Sequence, residues 1–501
     1  MTSHSAPVDA RPAQETSSTP APAVLRWGPL VAFVLLLLAL ARHAGSGISD
    51  PDTLWHVLAG EHLWRTHDFA GPDPYSTFTT QPWVLNQWLP ELAMAWAHHL
   101  GGLPAVAWLA SAGQLAVCAS LLALCRGVAG PLAAALVAGA AVLGTADSLS
   151  PRPQLVGFVL LAVVIGAWLR TARDLRPRWW LVAVTWLWAC CHGTWVVGVT
   201  VGAAVVLGVA LDGRSPRPAR DDGRRQEPSR GPRATRGDVV RLAGVVVASA
   251  AATALTPLGL RLYESFATVR AVSPYILEWR RPTLDSPSVL VTLALVLLVP
   301  LLWAARRTLP RWSEGLLWLV AVAWGVSSMR TVGLCAVIVA PLAARALDRA
   351  LGRARVQGTA AERVLVGAGL VLALGLAGLL ASTGPEQPQG VPSRLDASLS
   401  ALAPGTVVWN TDLLGGWLMY AHPELRHTAD TRAEIYGPAR ARAYLRVLST
   451  EPGWEQDFDQ YGARAALVER DAPLVAALEA RGWGTRGTDA GYVLLEPATG
   501  R

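Results

Sequence analysis

The sequence contains no lysine; all 43 of its basic residues are arginine. That absence removes Schiff-base chemistry and the lysine of a phosphate-binding loop. Charge of either sign is sparse, at 16% of residues, and only five cysteines occur. Cys118, Cys125, Cys190, Cys191 and Cys335 all fall in or beside apolar runs, so their spacing gives neither a disulfide framework nor a zinc site. They read as small buried hydrophobes. What is abundant is apolar: 52% of the 501 residues. In a soluble protein the formal net charge of +7 would point to nucleic acid. Here the arginines sit in short clusters between apolar stretches, where they report membrane topology, and nucleic-acid binding is not expected.

Residues 1–25 are rich in Ser, Thr, Pro and Ala without periodicity, which predicts a disordered cytosolic tail. The first apolar run, Trp27–Ala41, ends in Ala39-Leu40-Ala41 and so resembles a signal peptide. Ten further runs follow it, and it reads as a retained helix. Those runs cover approximately 103–125, 130–147, 154–170, 178–191, 194–212, 239–256, 287–305, 313–328, 331–346 and 363–382. Most approach the length that spans a bilayer; the weakest starts at Arg178. The sequence therefore predicts a mainly α-helical membrane protein with about eleven transmembrane helices over 26–382, placed in the plasma membrane. An N-terminus in the cytosol puts the arginines of 170–178, the basic loop 213–238, Arg306, Arg307, Arg311 and the arginines of 345–363 on the cytosolic side. Three regions then lie outside: a first loop over 44–102, a second over 257–286, and everything after 382. Short β-like runs (Thr406–Trp409, Ala465–Val468, Tyr492–Leu495) alternate in the tail with helical ones (Ala439–Leu448, Pro473–Arg481). They predict a small extracytoplasmic α/β domain over 383–501, reached through a linker marked by Pro385, Pro388 and Pro392, and expected to fold by itself.

The first outer loop opens Ser49-Asp50-Pro51-Asp52-Thr53-Leu54-Trp55-His56. Asp50 before Pro51 fits a helix N-cap with proline at the first helical position, and Asp52 fits the acid favoured in a first turn. Leu54, Trp55, Leu58, Ala59 and Leu63 recur at helical spacing, as an apolar stripe suited to lying on the membrane surface. Further on come P-D-P-Y-S-T-F-T (72–79), W-V-L-N-Q-W-L-P-E-L (83–92), S-P-R-P-Q (150–154), H-G-T-W-V-V-G (192–198), T-P-L-G-L-R-L-Y (256–263) and L-E-W (277–279). The tail adds W-N-T-D-L-L-G-G-W-L (409–418), D-T-R-A-E-I-Y-G (430–437) and Y-G-A-R-A-A-L-V (461–468). Together these stretches resemble GT-C-type membrane glycosyltransferases. The closer likeness is to the bacterial branch related to protein O-mannosyltransferases, that is, family-39-like and Rgt-like proteins.

The resemblance implies a GT-C arrangement with interfacial helices in the first outer loop. It implies a transferase that takes a sugar from a polyprenyl-phosphate carrier to an extracytoplasmic acceptor with inversion, using an acid just after the first membrane helix as general base. Asp52 matches that acid better than Asp50, which stays a secondary candidate. Relatives often carry an acid before the Trp of the N-x-W-L motif, where this chain has Gln87; Glu91 is a substitute candidate. Trp55, His56, Asn86 and Trp88 fall in the implied substrate loop. The tryptophans Trp55, Trp64, Trp83 and Trp88 read first as interfacial anchors, with sugar stacking as the alternative.

Physical reasoning runs beside the resemblance. Glycosyl transfer needs a base for the acceptor hydroxyl and compensation for a departing phosphate. Arginines on the outer side run against the positive-inside bias, and Arg152, Arg261, Arg280, Arg281 and Arg330 each require an ion-pair partner or an anionic ligand. Of these, Arg152, Arg280, Arg281 and Arg330 are the donor-phosphate candidates. His56, His62 and His67 share a loop with Asp68 and Asp73 in no recognised metal spacing, and no cofactor is implied beyond the divalent metal that some relatives use. His192-Gly193 reads as a tight turn between helices. The tail acids Asp412, Asp430 and Glu434 read as the surface of a folded domain, with glycan binding as the alternative. A non-enzymatic scaffold or lipid-carrier transporter of envelope glycan assembly is the competing function, and a surface-polysaccharide polymerase or ligase a third. Transporters place ionisable groups or broken helices near mid-membrane, and few such features occur here.

Overall fold

A computed structural model describes residues 23–214, 233–352 and 358–498. The expected disordered tail (1–22 of it), most of the basic loop, and Arg353 and Arg355 lie outside the described residues. Every apolar run of the sequence forms a helix: α1 (Ala23–Ala41), the second half of α3 (Trp88–Arg126), α4 (Pro131–Gly144), α5 (Gln154–Asp174), α6 (Trp180–Cys191), α7 (Trp195–Arg214), α8 (Arg236–Ala252), α10 (Pro287–Ala305), α11 (Trp312–Gly325), α12 (Met329–Ala350) and α13 (Ala360–Ser382). Between α1 and α3 lie α2 (Pro51–Thr66) and the short strands β1 (Ala70–Gly71) and β2 (Trp83–Val84); α9 (Arg261–Val272) fills the loop before α10. Among the described residues, eight helices are long and apolar enough to cross a membrane, which makes this a multi-pass membrane protein. The helices α4, α6 and α11, at 14, 12 and 14 residues, are shorter than a full crossing.

The local chemistry explains the boundaries. Asp50 caps α2 by accepting the Asp52 N–H at 2.9 Å, Pro51 takes the first helical position, and the chain leaves through His67 in the left-handed conformation, φ 61°. In α3, Gly102 (φ 62°) breaks the helix, separating the segment before it from the apolar span after it. The core is helical, and α12 is its most enclosed element, 89% buried over its apolar window. One end of the bundle carries ion pairs: Arg26 and Arg126 both meet Glu362 (3.0 and 2.6 Å), Arg345 meets Glu314, and Asp348 accepts the Gly130 N–H at 3.0 Å. The loop with Asp50 lies at the opposite ends of these helices.

The tail forms α14 (Asp396–Ser400), β3 (Val407–Asn410), α15 (Asp412–Ala421), β4 (Arg426–His427), α16 (Ala433–Leu448), α17 (Trp454–Asp459), β5 (Ala465–Glu469), α18 (Pro473–Ala480), β6 (Trp483–Asp489) and β7 (Tyr492–Pro497). Its five-stranded sheet runs β4-β3-β5-β7-β6, parallel across β4, β3 and β5 and antiparallel beyond. Polarity hid β6 from the sequence: Thr485, Arg486 and Thr488 alternate with glycines on an exposed edge strand.

Two expectations change here. The apolar stripe of α2 does not face lipid. Trp55, Ala59 and Leu63 pack with Leu85, Met419, Ile435 and Tyr436, so that stripe is the seat of the tail domain. Gly416 of α15 sits against it, where a Cβ would stand 2.6 Å from the Pro51 carbonyl oxygen. Asp430 is likewise not a surface acid but fully enclosed, 3% exposed, for the reason given next.

Candidate active site

The first loop and the tail meet around one buried cation. Arg432, 2% exposed, pairs with Asp430 at 2.7 Å and with Asp73 of the first loop at 2.8 Å, and it lies over the rings of Trp55 and Tyr75. Tyr436 donates to Asp430 at 2.7 Å, and the Trp55 indole donates to Thr431 at 3.0 Å. Burial opposes ionisation of Asp430, but the charge and hydrogen bonds of Arg432 hold the carboxyl well below the usual range. This network fixes the 430–434 segment against α2.

On the other side of α2, Arg152 gathers three acids. Its Nε donates to Asp50 at 2.8 Å, and its Nη1 stands 3.1 Å from Asp52 and 2.8 Å from Glu278. Burial works against the Arg152 charge, yet Asp52, Asp50 and Glu278 together raise its pKa above the ordinary guanidinium value. Asp50 is pushed upward, first by burial and also by Asp52, although Arg152 pulls the other way. Glu278 holds Arg330 at 3.1 Å, and Arg330 stands over Trp279. Thr53 fixes the turn below by donating to the Pro151 carbonyl at 3.1 Å.

A cavity opens between these two groups. Asp52, Trp55, His56, Gln87, Arg152, Gln154, His192, Arg330, Thr431, Arg432 and Glu434 line it. Asp52 Oδ2 faces Arg152, while Oδ1 is buried and has no hydrogen-bond partner among the described residues. A carboxylate with one oxygen held and one free is equipped to accept a proton. His56 and Glu91 are both enclosed, and His56 Nδ1 stands 2.7 Å from Glu91 Oε1. Gly60 permits this approach, since a Cβ there would overlap the Glu91 carbonyl. Burial raises the pKa of Glu434, half-buried on the tail side of the cavity.

Of the sequence candidates, Asp52, Asp50, Arg152, Arg330, Trp55, His56 and Glu91 converge here. Arg280 and Arg281 do not line the cavity and are exposed; the Arg280 carbonyl accepts the Met329 N–H at 2.9 Å and so supports Arg330 from behind. Asn86 and Trp88 are half-buried beside the cavity, Trp88 edge-on to Phe69 at 5.5 Å. Arg261 is exposed at the start of α9. Among the described residues no three His, Cys, Asp or Glu side chains group as a metal site. Sequence reasoning took Glu434 as a surface acid of the tail, with glycan binding as the alternative, and left out Thr431 and Arg432. The signal was the D-T-R-A-E run itself, whose clustered charge in a tail that buries much of its surface needed a partner elsewhere in the chain.

The whole arrangement is similar to known structures. The apo Archaeoglobus fulgidus oligosaccharyltransferase superposes with a TM-score of 0.53 at 12% identity, over 89% of this chain and 70% of that one. ArnT from Cupriavidus metallidurans in the apo state gives 0.51 at 17% identity, over 94% and 98%. The chain has the GT-C fold. No protein-family model and no curated protein matches its sequence. Within the GT-C fold, the acids Asp50 and Asp52 follow the first long helix, and the tail closes over them.

Proposed function

We propose that the protein is a membrane glycosyltransferase that moves a sugar from a polyprenyl-phosphate-linked donor to an extracytoplasmic acceptor, with inversion. The GT-C fold supports the class, and the observation that carries the mechanism is Asp52 at the cavity, with one oxygen held by Arg152 and the other without a hydrogen-bond partner among the described residues. Asp52 Oδ1 takes the proton of the acceptor hydroxyl. The hydroxyl oxygen bonds to the anomeric carbon, and the bond from that carbon to the phosphate oxygen breaks with its electron pair leaving on the phosphate. Arg330 compensates that charge. Its partner Glu278 is 42% exposed, so the pair is loose enough to admit a phosphate, whereas Arg152 is held by three acids and mainly orients Asp52. The eleven-helix count and the tail on the outer side belong to the same reading.

Deleting the gene from its host should leave the polyprenyl-phosphate sugar pool enlarged and an outer glycan lost or shortened. Re-expression of the parent should restore both, and Asp52→Asn at the same protein level should not. An unchanged lipid-linked sugar pool in a verified deletion would instead assign the fold to a scaffold without turnover.

A further inference from the structure

One turn after Asp52 on α2, His56 presents to the same cavity, because residues four apart share a helix face. Its Nδ1 is taken: the carboxylate of Glu91, 2.7 Å away, is an acceptor, so Nδ1 carries the ring proton. Burial pushes the imidazole pKa down, more strongly than Glu91 pulls it up, so the ring is neutral near pH 7. Nε2 is then a bare lone pair with no hydrogen-bond partner among the described residues, on a side chain that lines the cavity. Such an atom cannot bind a phosphate oxygen, since both are acceptors. It fits a hydroxyl hydrogen. Glu434 adds acceptor oxygens to the lining, which also holds the cations Arg152, Arg330 and Arg432. The lining thus offers cations for a phosphate and acceptors for a polyhydroxylated ring.

We propose that His56, locked by Glu91 with Nε2 left without a partner, reads one hydroxyl of the transferred sugar and so is a specificity-determining residue. The inference rests on the glycosyltransferase reading. A buried acceptor left without its donor penalises any sugar that lacks the hydroxyl, and this discriminates more sharply than an apolar contact does.

The test uses the full chain in lipid nanodiscs with farnesyl-phosphate-linked glucose, mannose, galactose and N-acetylglucosamine. The tightest binder is compared with its monodeoxy analogues. With the parent protein, one analogue should bind about tenfold to a hundredfold more weakly. In His56→Ala that penalty should fall below about threefold while the other analogues keep theirs, a coupling that a purely structural role does not produce. Glu91→Leu, which frees the ring to turn, should also erode the discrimination, and His56→Gln should restore part of it. If His56→Ala has lost its thermal transition, His56→Leu, closer in volume, carries the comparison. Equal penalties for every analogue in parent and variant overturn the inference while leaving the functional reading intact. If no donor of the panel binds the parent, both fall together.

Discussion

The two acids at the start of α2 separate by what each oxygen touches. Asp50 accepts the Asp52 N–H and the Arg152 Nε, so its oxygens are engaged in capping and pairing. Asp52 keeps one oxygen free. Asn caps a helix nearly as well as Asp, and Asp50→Asn should therefore leave the thermal transition close to the parent's and turnover within about tenfold of it. Asp52→Asn keeps the shape and loses proton acceptance, which should lower turnover by roughly 10²–10⁴ without lowering protein level. A dead Asp50 variant beside an active Asp52 variant would reverse the assignment.

Arg432 has the larger structural consequence. Removing it strands Asp73 and Asp430, both 0% exposed at the side chain, without their counter-charge. Breaking a buried pair from one side costs about 3–5 kcal/mol, so Arg432→Met should lower the melting temperature sharply at pH 7. The pH dependence follows from the depressed folded pKa of Asp430. Its stabilising contribution is fully present above the unfolded carboxyl value, about 3.9, and is lost as pH falls below that toward the folded value. Protonation also relieves the stranded carboxylates of the variant. The gap in melting temperature between parent and Arg432→Met should therefore narrow as pH falls from 7 to below about 4; a gap that is constant or widens would show that the charge of Arg432 is not what stabilises the junction.

At the scale of elements, α2 is held between α3 and α15 by two glycines. Gly60 lets α2 reach the Glu91 backbone, and Gly416 lets α15 reach the Pro51 carbonyl, next to both acids. Gly416→Ala adds a Cβ that must displace backbone rather than a flexible side chain. Proteolysis within the linker at 383–392 should become faster, and transfer should fall by about a hundredfold, as expected of a displacement near 1 Å at the base. Normal transfer with the linker still protected would show that the tail does not position Asp52. This dependence explains what the sequence made legible. Helices α1 to α13 that face lipid or a helical core announce themselves by apolar runs, and β3, β5 and β7 by short runs of apolar residues between turns. The amphipathic α2 reads the same whether a membrane or a protein domain covers it, so its true cover, the tail, was hidden. For the same reason Asp50, Asp52 and Arg152 were identified by motif and charge, whereas the Arg432 network needed two segments more than 350 residues apart to be seen together, as the Asp73 contact shows. The His56–Glu91 pair, 35 residues apart, was named only as two separate candidates.

For the molecule as a whole, the question is how many helices cross. Eight are long enough; α4, α6 and α11 span only about 18–21 Å at 1.5 Å per residue, short of a hydrocarbon core of about 30 Å. The two counts differ in parity. If only the eight long helices crossed, both ends of the chain would lie on the same side. Eleven crossings would place them on opposite sides, with N-terminal and C-terminal helix ends alternating at the side that carries Arg26 and Glu362 (starts of α1 and α13) and Arg126, Arg345 and Asp348 (ends of α3 and α12). That side carries the arginine pairs and the start of the 213–238 loop, and the positive-inside bias assigns it to the cytosol. Of the short helices, α4 turns one face into the core, where Ala133, Ala134, Ala138 and Ala141 are fully enclosed, and leaves Leu136 and Leu143 exposed on the other. Reporter fusions within 213–238 and after residue 390 should therefore report opposite sides of the membrane, the first cytosolic and the second external. The same side for both would mean that an odd number of the five intervening helices, α8, α10, α11, α12 and α13, fails to cross, with α11 the first suspect, and the active site would then face a compartment other than the one proposed.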